Sequence, residues 1–216
     1  MRHNYHPPLH LDTKRRHLVF HPLNQPGLGT DGILYKLGTR FDTKEYKNPG
    51  VDGYYLEVSR STHGGGATCV GDATAFTGRE AVHSHTRSAI HSYYMIKLKQ
   101  GISVKPMAYK LRSYGHGGGF MPLNWNFEAS NDGNEWVTLK THTNDRTIEN
   151  FGAIGCWDVT SDRSFEYFRI RLTGQDKKGD YYLCLSGFEL YGELRGVERR
   201  NFVPASAAAA ALPKGK

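Results

Sequence analysis

Asn124-Trp-Asn-Phe-Glu-Ala-Ser-Asn-Asp-Gly-Asn-Glu-Trp136 is the stretch that decides the fold. Trp125, Phe127 and Ala129 alternate with Asn126, Glu128 and Ser130, the period of two that puts one face of a strand in a core and the other in water. Asn131-Asp132-Gly133 then supplies a turn, because Asn and Asp tolerate the left-handed region and Gly enters it without a steric cost. Trp136 opens the returning strand, with Val137 and Leu139 behind it. The hairpin means antiparallel sheet. Trp125, Phe127 and Trp136 are expected in its core.

Working outward, Tyr93–Leu98 and Val104–Tyr114 read as strands upstream of the hairpin. Phe165–Leu172 alternates cleanly downstream, with Phe168, Ile170 and Leu172 inward and Arg169 and Arg171 outward, opposite Glu128 or Glu189 as cross-strand partners. Tyr182–Tyr191, with Phe188 inward, reads as the last strand, kinked at Gly187. Gly32–Gly38 and Tyr54–Ser59 complete the upstream part as short strands, and Trp157–Val159 adds another. About eight short strands without a strong amphipathic helix predict an all-β jelly-roll β-sandwich. The body spans 31–192, between an extended basic N-terminal arm (1–30) and a basic, alanine-rich C-terminal tail (193–216).

The composition agrees. In 216 residues there are 25 glycines and 12% aromatics, which suits a turn-rich β protein. Cys69, Cys156 and Cys184 form no C-x-x-C pair and read as free thiols. No apolar run is long enough to span a bilayer, and the N-terminus has no secretory h-region. Of the net charge of +7, residues 1–22 carry +3 and residues 193–216 carry +3, which leaves +1 on the middle of the chain. A nearly neutral body argues against nucleic acid as its ligand. Basic ends suit a partner with an acidic surface.

Tyr109-Lys-Leu-Arg112, the hairpin, Phe168-Arg-Ile170 and Tyr182-Leu-Cys-Leu-Ser-Gly-Phe-Glu-Leu-Tyr-Gly192, in that order and spacing, resemble the discoidin or F5/8 type C group. Asp31–Tyr35, Gly38-Thr39 and Asn48-Pro49 look like the upstream part of the same module. The closest likeness is to the intracellular branch found in a HECT-type ubiquitin ligase and in BTB-domain proteins, over roughly residues 30–192. The resemblance implies the galactose-binding-like sandwich and a binding role, with ligands ranging from glycans and lipid headgroups to protein segments held by loops at one end. It implies no catalysis. Lys97 stands where relatives often carry Asp, and the cysteine pair of the extracellular branch is missing.

Chemistry has few footholds. His83, His85 and His91 lack the spacing of a zinc site, so hydrogen-bonded or solvated imidazoles are the expectation. The glycine run 115–119 lacks the G-x-x-x-x-G-K-[ST] order of a phosphate loop. Ser186 has no nucleophile elbow. No cofactor is expected, although a structural calcium ion in a loop stays open. Arg112, Arg169 and Arg171 with Trp125 and Tyr93 form a conceivable basic-aromatic face. Loops on a rigid scaffold are the favoured contact surfaces, so 60–92 and 115–121 are singled out, with His83, His85, Arg87, His91, His116 and Phe120 as binding candidates. The expectation is a non-enzymatic, intracellular protein-binding module, a structural or adaptor subunit of an assembly such as a cytoskeletal one. A substrate-recognition module of a ubiquitin-ligase system is the alternative, and glycan or lipid-headgroup binding a weaker one.

Overall fold

Two antiparallel sheets face each other in the computed structural model, which describes residues 17–23, 25–65, 69–114 and 119–197. One has four strands in the order β1 (Leu18–Phe20), β9 (Leu185–Arg195), β4 (Ser103–Ser113), β7 (Ile154–Asp158). The other has five, in the order β2 (Leu56–Arg60), β3 (Tyr93–Leu98), β8 (Tyr167–Leu172), β5 (Trp125–Ser130), β6 (Val137–His142). This is the expected jelly-roll sandwich.

The alternation read from the sequence is what closes it. Trp125, Phe127, Phe168, Ile170 and Leu172 are each 0% exposed, and Phe188 is 1%. Tyr109 on β4 stacks on Phe127 on β5 at 4.3 Å, joining the sheets, and Phe188 on β9 stacks at 4.8 Å on Phe76 of the 3-10 turn Ala73–Thr77.

Three expectations are corrected. Gly32–Gly38 is not a strand: Ile33–Gly38 is a short helix, α1. Ile33, Leu34 and Leu37 put one apolar face on the core, and the buried Glu189 carboxylate accepts the N–H groups of Leu34 (2.7 Å) and Tyr35 (3.1 Å) that a helix start leaves unpaired. Trp136 is not in the core. Val137 pairs with Ala129, so Trp136 has the parity of Ser130 and lies on the outer face, half-buried under the Arg169 guanidinium. The last strand starts at Leu185 rather than Tyr182 and runs past Gly192 to Arg195. There it pairs with β1, so Leu18–Phe20 lies in the sheet although the sequence reads as arm. The rest of the two arms, residues 1–16 and 198–216, lies outside the described residues.

Two irregularities adapt the central strands. Pro106 cannot donate to the ladder, and the β4–β9 register shifts between Pro106 and Ala108, opposite Gly192. Gly192 has φ +143°, and a Cβ there would come within 2.1 Å of the Lys105 carbonyl oxygen. The second shift, between Leu111 and Ser113, spans the kink expected at Gly187.

A polar network ties the two sheets together. The Tyr109 hydroxyl on β4 lies 2.7 Å from His142 Nε2 on β6, and His142 Nδ1 lies 2.6 Å from Asp145 Oδ2. Trp125 Nε1 donates to the Tyr109 oxygen, and Trp157 Nε1 on β7 donates to Asp145.

Candidate functional site

The described residues of the segment 60–92 have little ladder of their own, so side chains satisfy much of its backbone. Arg60, at the end of β2, is the centre. Its Nη1 faces the carbonyls of Gly71 (3.2 Å) and His85 (3.1 Å), Ser84 Oγ (3.0 Å) and the Tyr94 hydroxyl (3.3 Å), more acceptors than its two N–H groups serve at once. Its Nη2 meets His63 Nδ1. Burial pushes the Tyr94 hydroxyl up to about 12, so it stays protonated and able to donate to Ser84. Backbone bonds from Gly64 N to His85 O and from Gly71 N to His83 O close the loop on itself. Gly64 is needed for this, since a Cβ there would come within 2.3 Å of His85 Nδ1.

Along one side of this segment runs an aromatic and imidazole strip. The rings of His83 and His85 are 4.9 Å apart, His85 meets Tyr182 edge-on at 5.5 Å, and Phe120 meets Tyr182 at 5.1 Å. The structure thus brings together His83, His85 and Phe120, residues 37 positions apart in sequence or nearer (120 − 83 = 37). It adds Tyr182, which reads from the sequence only as a strand residue. His85 is buried, with Nδ1 2.7 Å from the Thr86 carbonyl oxygen, while His83 is half-buried. Arg87 is exposed beside the strip, its N–H donating to Thr62 Oγ1 at 2.9 Å. His91 goes elsewhere: at φ +67° it turns to Arg171 Nη1, 2.8 Å away, on the outer face of the five-stranded sheet. His116 lies outside the described residues.

The segment also walls a cleft of about 430 Å³ with Tyr46, Asn48, Asp72, Thr74, Arg79 and Val82 among its lining. Asn48 caps the short helix α2 (Pro49–Asp52), accepting from Gly50 N at 3.0 Å, and its Nδ2 donates to the Thr74 carbonyl at 2.9 Å. Asp72 caps the 3-10 turn Ala73–Thr77, and its hydrogen bonds from Thr74 hold the carboxyl below the usual carboxylate range. Tyr46 stacks on Tyr35 at 5.3 Å, and burial pushes its hydroxyl up to about 12.

Beneath lies a buried ion pair. Arg79 Nη1 is 3.2 Å from Glu189 Oε2, and its guanidinium lies 5.1 Å over the Tyr35 ring. Burial pushes the Glu189 carboxyl up to about 7, against the pull of Arg79 and of the Leu34, Leu190 and Tyr35 amides. Arg112 fastens the lip: Nη1 donates to Arg79 O (2.8 Å) and Nη2 to Glu80 O (2.6 Å), with Nε on Ser186 O (3.1 Å). Arg112 is therefore a buried splint rather than part of a ligand face, and Trp125 is core. Of the conceived basic-aromatic set only Arg169, Arg171 and Tyr93 share a surface, on the five-stranded sheet.

The cysteines are unpaired thiols, Cys69 and Cys184 buried and Cys156 exposed. Among the described residues no cluster of three or more His, Cys, Asp or Glu is gathered to hold a metal ion. Among them too, no helix is long and apolar enough to cross a membrane.

No protein-family model matches the chain. In sequence it is 31% identical over 175 residues to the E3 ubiquitin-protein ligase Ufd4 of Drosophila melanogaster, covering 77% of this chain and 6% of that protein. It is 32% identical over 117 residues to the E3 ubiquitin-protein ligase hecd-1 of Caenorhabditis elegans, covering 52% of this chain and 4% of the ligase. A BTB/POZ domain-containing protein of Arabidopsis thaliana is 25% identical over 178 residues, 77% of this chain and 21% of that protein. The chain therefore spans only a small part of these relatives. In structure it resembles CpGH89CBM32-5 of Clostridium perfringens, solved with GalNAc-beta-1,3-galactose. The TM-score is 0.52 at 12% identity, over 63% of this chain and 95% of that one. The family 32 CBM of C. perfringens NanJ, solved with galactose, gives a TM-score of 0.50 at 14% identity, over 63% of this chain and 93% of that one. The structural likeness shows the fold. With the ligase and BTB/POZ relatives, it bears out the resemblance that the hairpin and the Tyr182–Gly192 stretch carry.

Proposed function

We propose that this chain, a discoidin-type galactose-binding-like sandwich similar to segments of E3 ubiquitin ligases, is a non-enzymatic module that binds a segment of a partner protein at 60–92. The observation that supports this most is the state of that segment. It is irregular in backbone yet held by Arg60 and Arg112, and it borders both a cleft of mixed lining and the His83–His85–Tyr182–Phe120 strip. A surface held rigid before binding loses little conformational freedom on contact. In this reading the chain serves inside the cell as an adaptor or structural subunit of an assembly, a cytoskeletal filament among the candidates. Its basic ends add contacts to an acidic partner.

A second reading is favoured by the ligase relatives: recognition of substrates for a ubiquitin ligase. One experiment addresses both. A photo-crosslinking amino acid is placed at Val70, which is 75% exposed on the cleft rim, at Arg87, and at Gln100 in the turn at the opposite end of β3. Capture of one common protein from Val70 and Arg87, but not from Gln100, is expected. Capture of ligase subunits favours the second reading. Equal capture from all three positions, or a galactose titration that abolishes capture, overturns protein binding at 60–92.

A further inference from the structure

The outer face of the five-stranded sheet carries a second surface, away from the cleft and the strip. Along β8, Tyr167, Arg169 and Arg171 point outward. The Arg169 guanidinium lies over the Trp136 ring at 3.8 Å, Tyr93 flanks it at 5.7 Å, and Lys97 Nζ stands 5.6 Å from the Tyr167 ring centre. Trp136 meets Tyr167 edge-on at 6.5 Å, which makes the patch continuous.

The charges on this patch do not cancel. Glu128 is 2% exposed and sunk between the arginines, accepting Arg169 Nε at 2.7 Å and Arg171 Nη2 at 2.6 Å. Glu57 stands across the ladder from Lys97 and pairs with Lys99, so Lys97, Lys99, Arg169 and Arg171 against Glu57 and Glu128 leave +2 (4 − 2 = 2). Arg171 spends its Nη1 on His91. By contrast, both terminal nitrogens of Arg169 and the ammonium of Lys97 make no ion pair or hydrogen bond among the described residues. A cation held between two aromatic rings with open donors is prepared for an acidic ligand.

The spacing narrows the ligand. Lys97 pairs with Tyr167 and Met95 with Arg169, so Lys97 and Arg169 are diagonal neighbours, about 7–8 Å apart. Side chains two residues apart on one face of an extended chain are separated by about 6.6–6.8 Å. We propose that this sheet face docks an extended acidic segment of a partner protein, whose carboxylates at alternate positions meet Lys97 and Arg169 while intervening atoms lie on Trp136 and Tyr167.

The test is fluorescence anisotropy with the full chain and a fluorescein-labelled probe of about ten residues alternating Glu and Thr. A block peptide of the same composition and a single-stranded deoxythymidine probe of similar charge are the comparisons. The alternating peptide should bind at least about threefold more tightly than either. Lys97→Gln should weaken it about two- to fivefold with an unchanged melting temperature, and Lys97→Glu, which faces Glu57 across the ladder, about tenfold when measured well below its melting temperature. Arg169→Gln should weaken it as well, while Arg171 keeps Glu128 paired. No binding, equal binding of the block peptide or of the deoxythymidine strand, or an affinity indifferent to Lys97→Glu, overturns the proposal.

Discussion

Asp145→Ala tests whether the network between the sheets behaves as a unit. Asp145 Oδ2 accepts from His142 Nδ1 and Trp157 Nε1, and Oδ1 accepts from Thr147 N at 2.9 Å. Because Nδ1–H faces the carboxylate, Nε2 is the acceptor for the Tyr109 hydroxyl, which in turn accepts from Trp125. Burial pushes His142 below the usual histidine range despite Asp145. Burial pushes Asp145 upward, but bonds from Thr147 and His142 outweigh it and hold the carboxyl low. The pair is thus a neutral imidazole on an ionised carboxylate. Truncation leaves the His142 donor, 3% exposed, without a partner, at about 1–3 kcal/mol. The half-buried Trp157 and the exposed Thr147 amide add less, giving about 3 kcal/mol in all. In urea that is a midpoint shift of roughly 1 M at constant slope. Tyr109→Phe should cost about 2 kcal/mol, and the double variant less than the sum by at least about 1 kcal/mol. A cost below about 1 kcal/mol for Asp145→Ala, or strict additivity, would refute the network. The pH sign follows from the depressed His142: its contribution is present above about pH 6.5 and is lost as pH falls from there toward the folded value.

Glu189 has the opposite sign. Its carboxyl is raised to about 7, so its contribution is full below about pH 4.3 and is lost as pH rises through 7. Stability of Glu189→Gln relative to wild type, followed from pH 4 to 8, should therefore climb by on the order of 3 kcal/mol, and a flat difference would refute the assignment. Gly192→Ala places a methyl against the Lys105 carbonyl at positive φ and should cost at least about 2 kcal/mol, read as a melting-point drop of about 4–8 °C. Arg60→Ala should loosen the segment it holds without unfolding the sandwich. Amide exchange at Gly64 and Gly71 should speed up about 10–100-fold while that of Ile96 in β3 is unchanged, and uniform acceleration would contradict a local role.

What was legible in the sequence was whatever a strand's own period encodes. Phe168, Ile170 and Leu172 with Arg169 and Arg171 needed only alternation, and Arg169 and Arg171 meet Glu128 across the strand as expected. Gly32–Gly38 was not legible as a helix because its decisive partner lies 155 residues downstream: Glu189 supplies the cap that a six-residue helix needs. Trp136 was misplaced because its side depends on register across the turn, which no run of residues states. The geometry of the candidate site is half legible. A long loop with histidines pointed to 60–92, but the residues that hold it, Arg60 and Arg112, come from β2 and β4 and look like ordinary strand cations.

That origin explains how one sandwich keeps an irregular segment in place. A loop satisfied only by water would exchange among many backbone states. Here the carbonyls of Gly71, His85, Arg79 and Glu80 are taken by two guanidinium groups rooted in opposite sheets, Arg60 on β2 and Arg112 on β4. The planar Arg112 group reaches the Arg79, Glu80 and Ser186 carbonyls from three nitrogens at once, which an ammonium on a flexible stem does less well. The carbonyls that these groups hold are thereby tied to both sheets while Val70 and Arg87 stay exposed. The sheet-face arginines use the same group differently. Arg169 spends one donor on Glu128 and leaves its terminal nitrogens open between two rings, so stabilisation and presentation are divided between buried and surface guanidiniums.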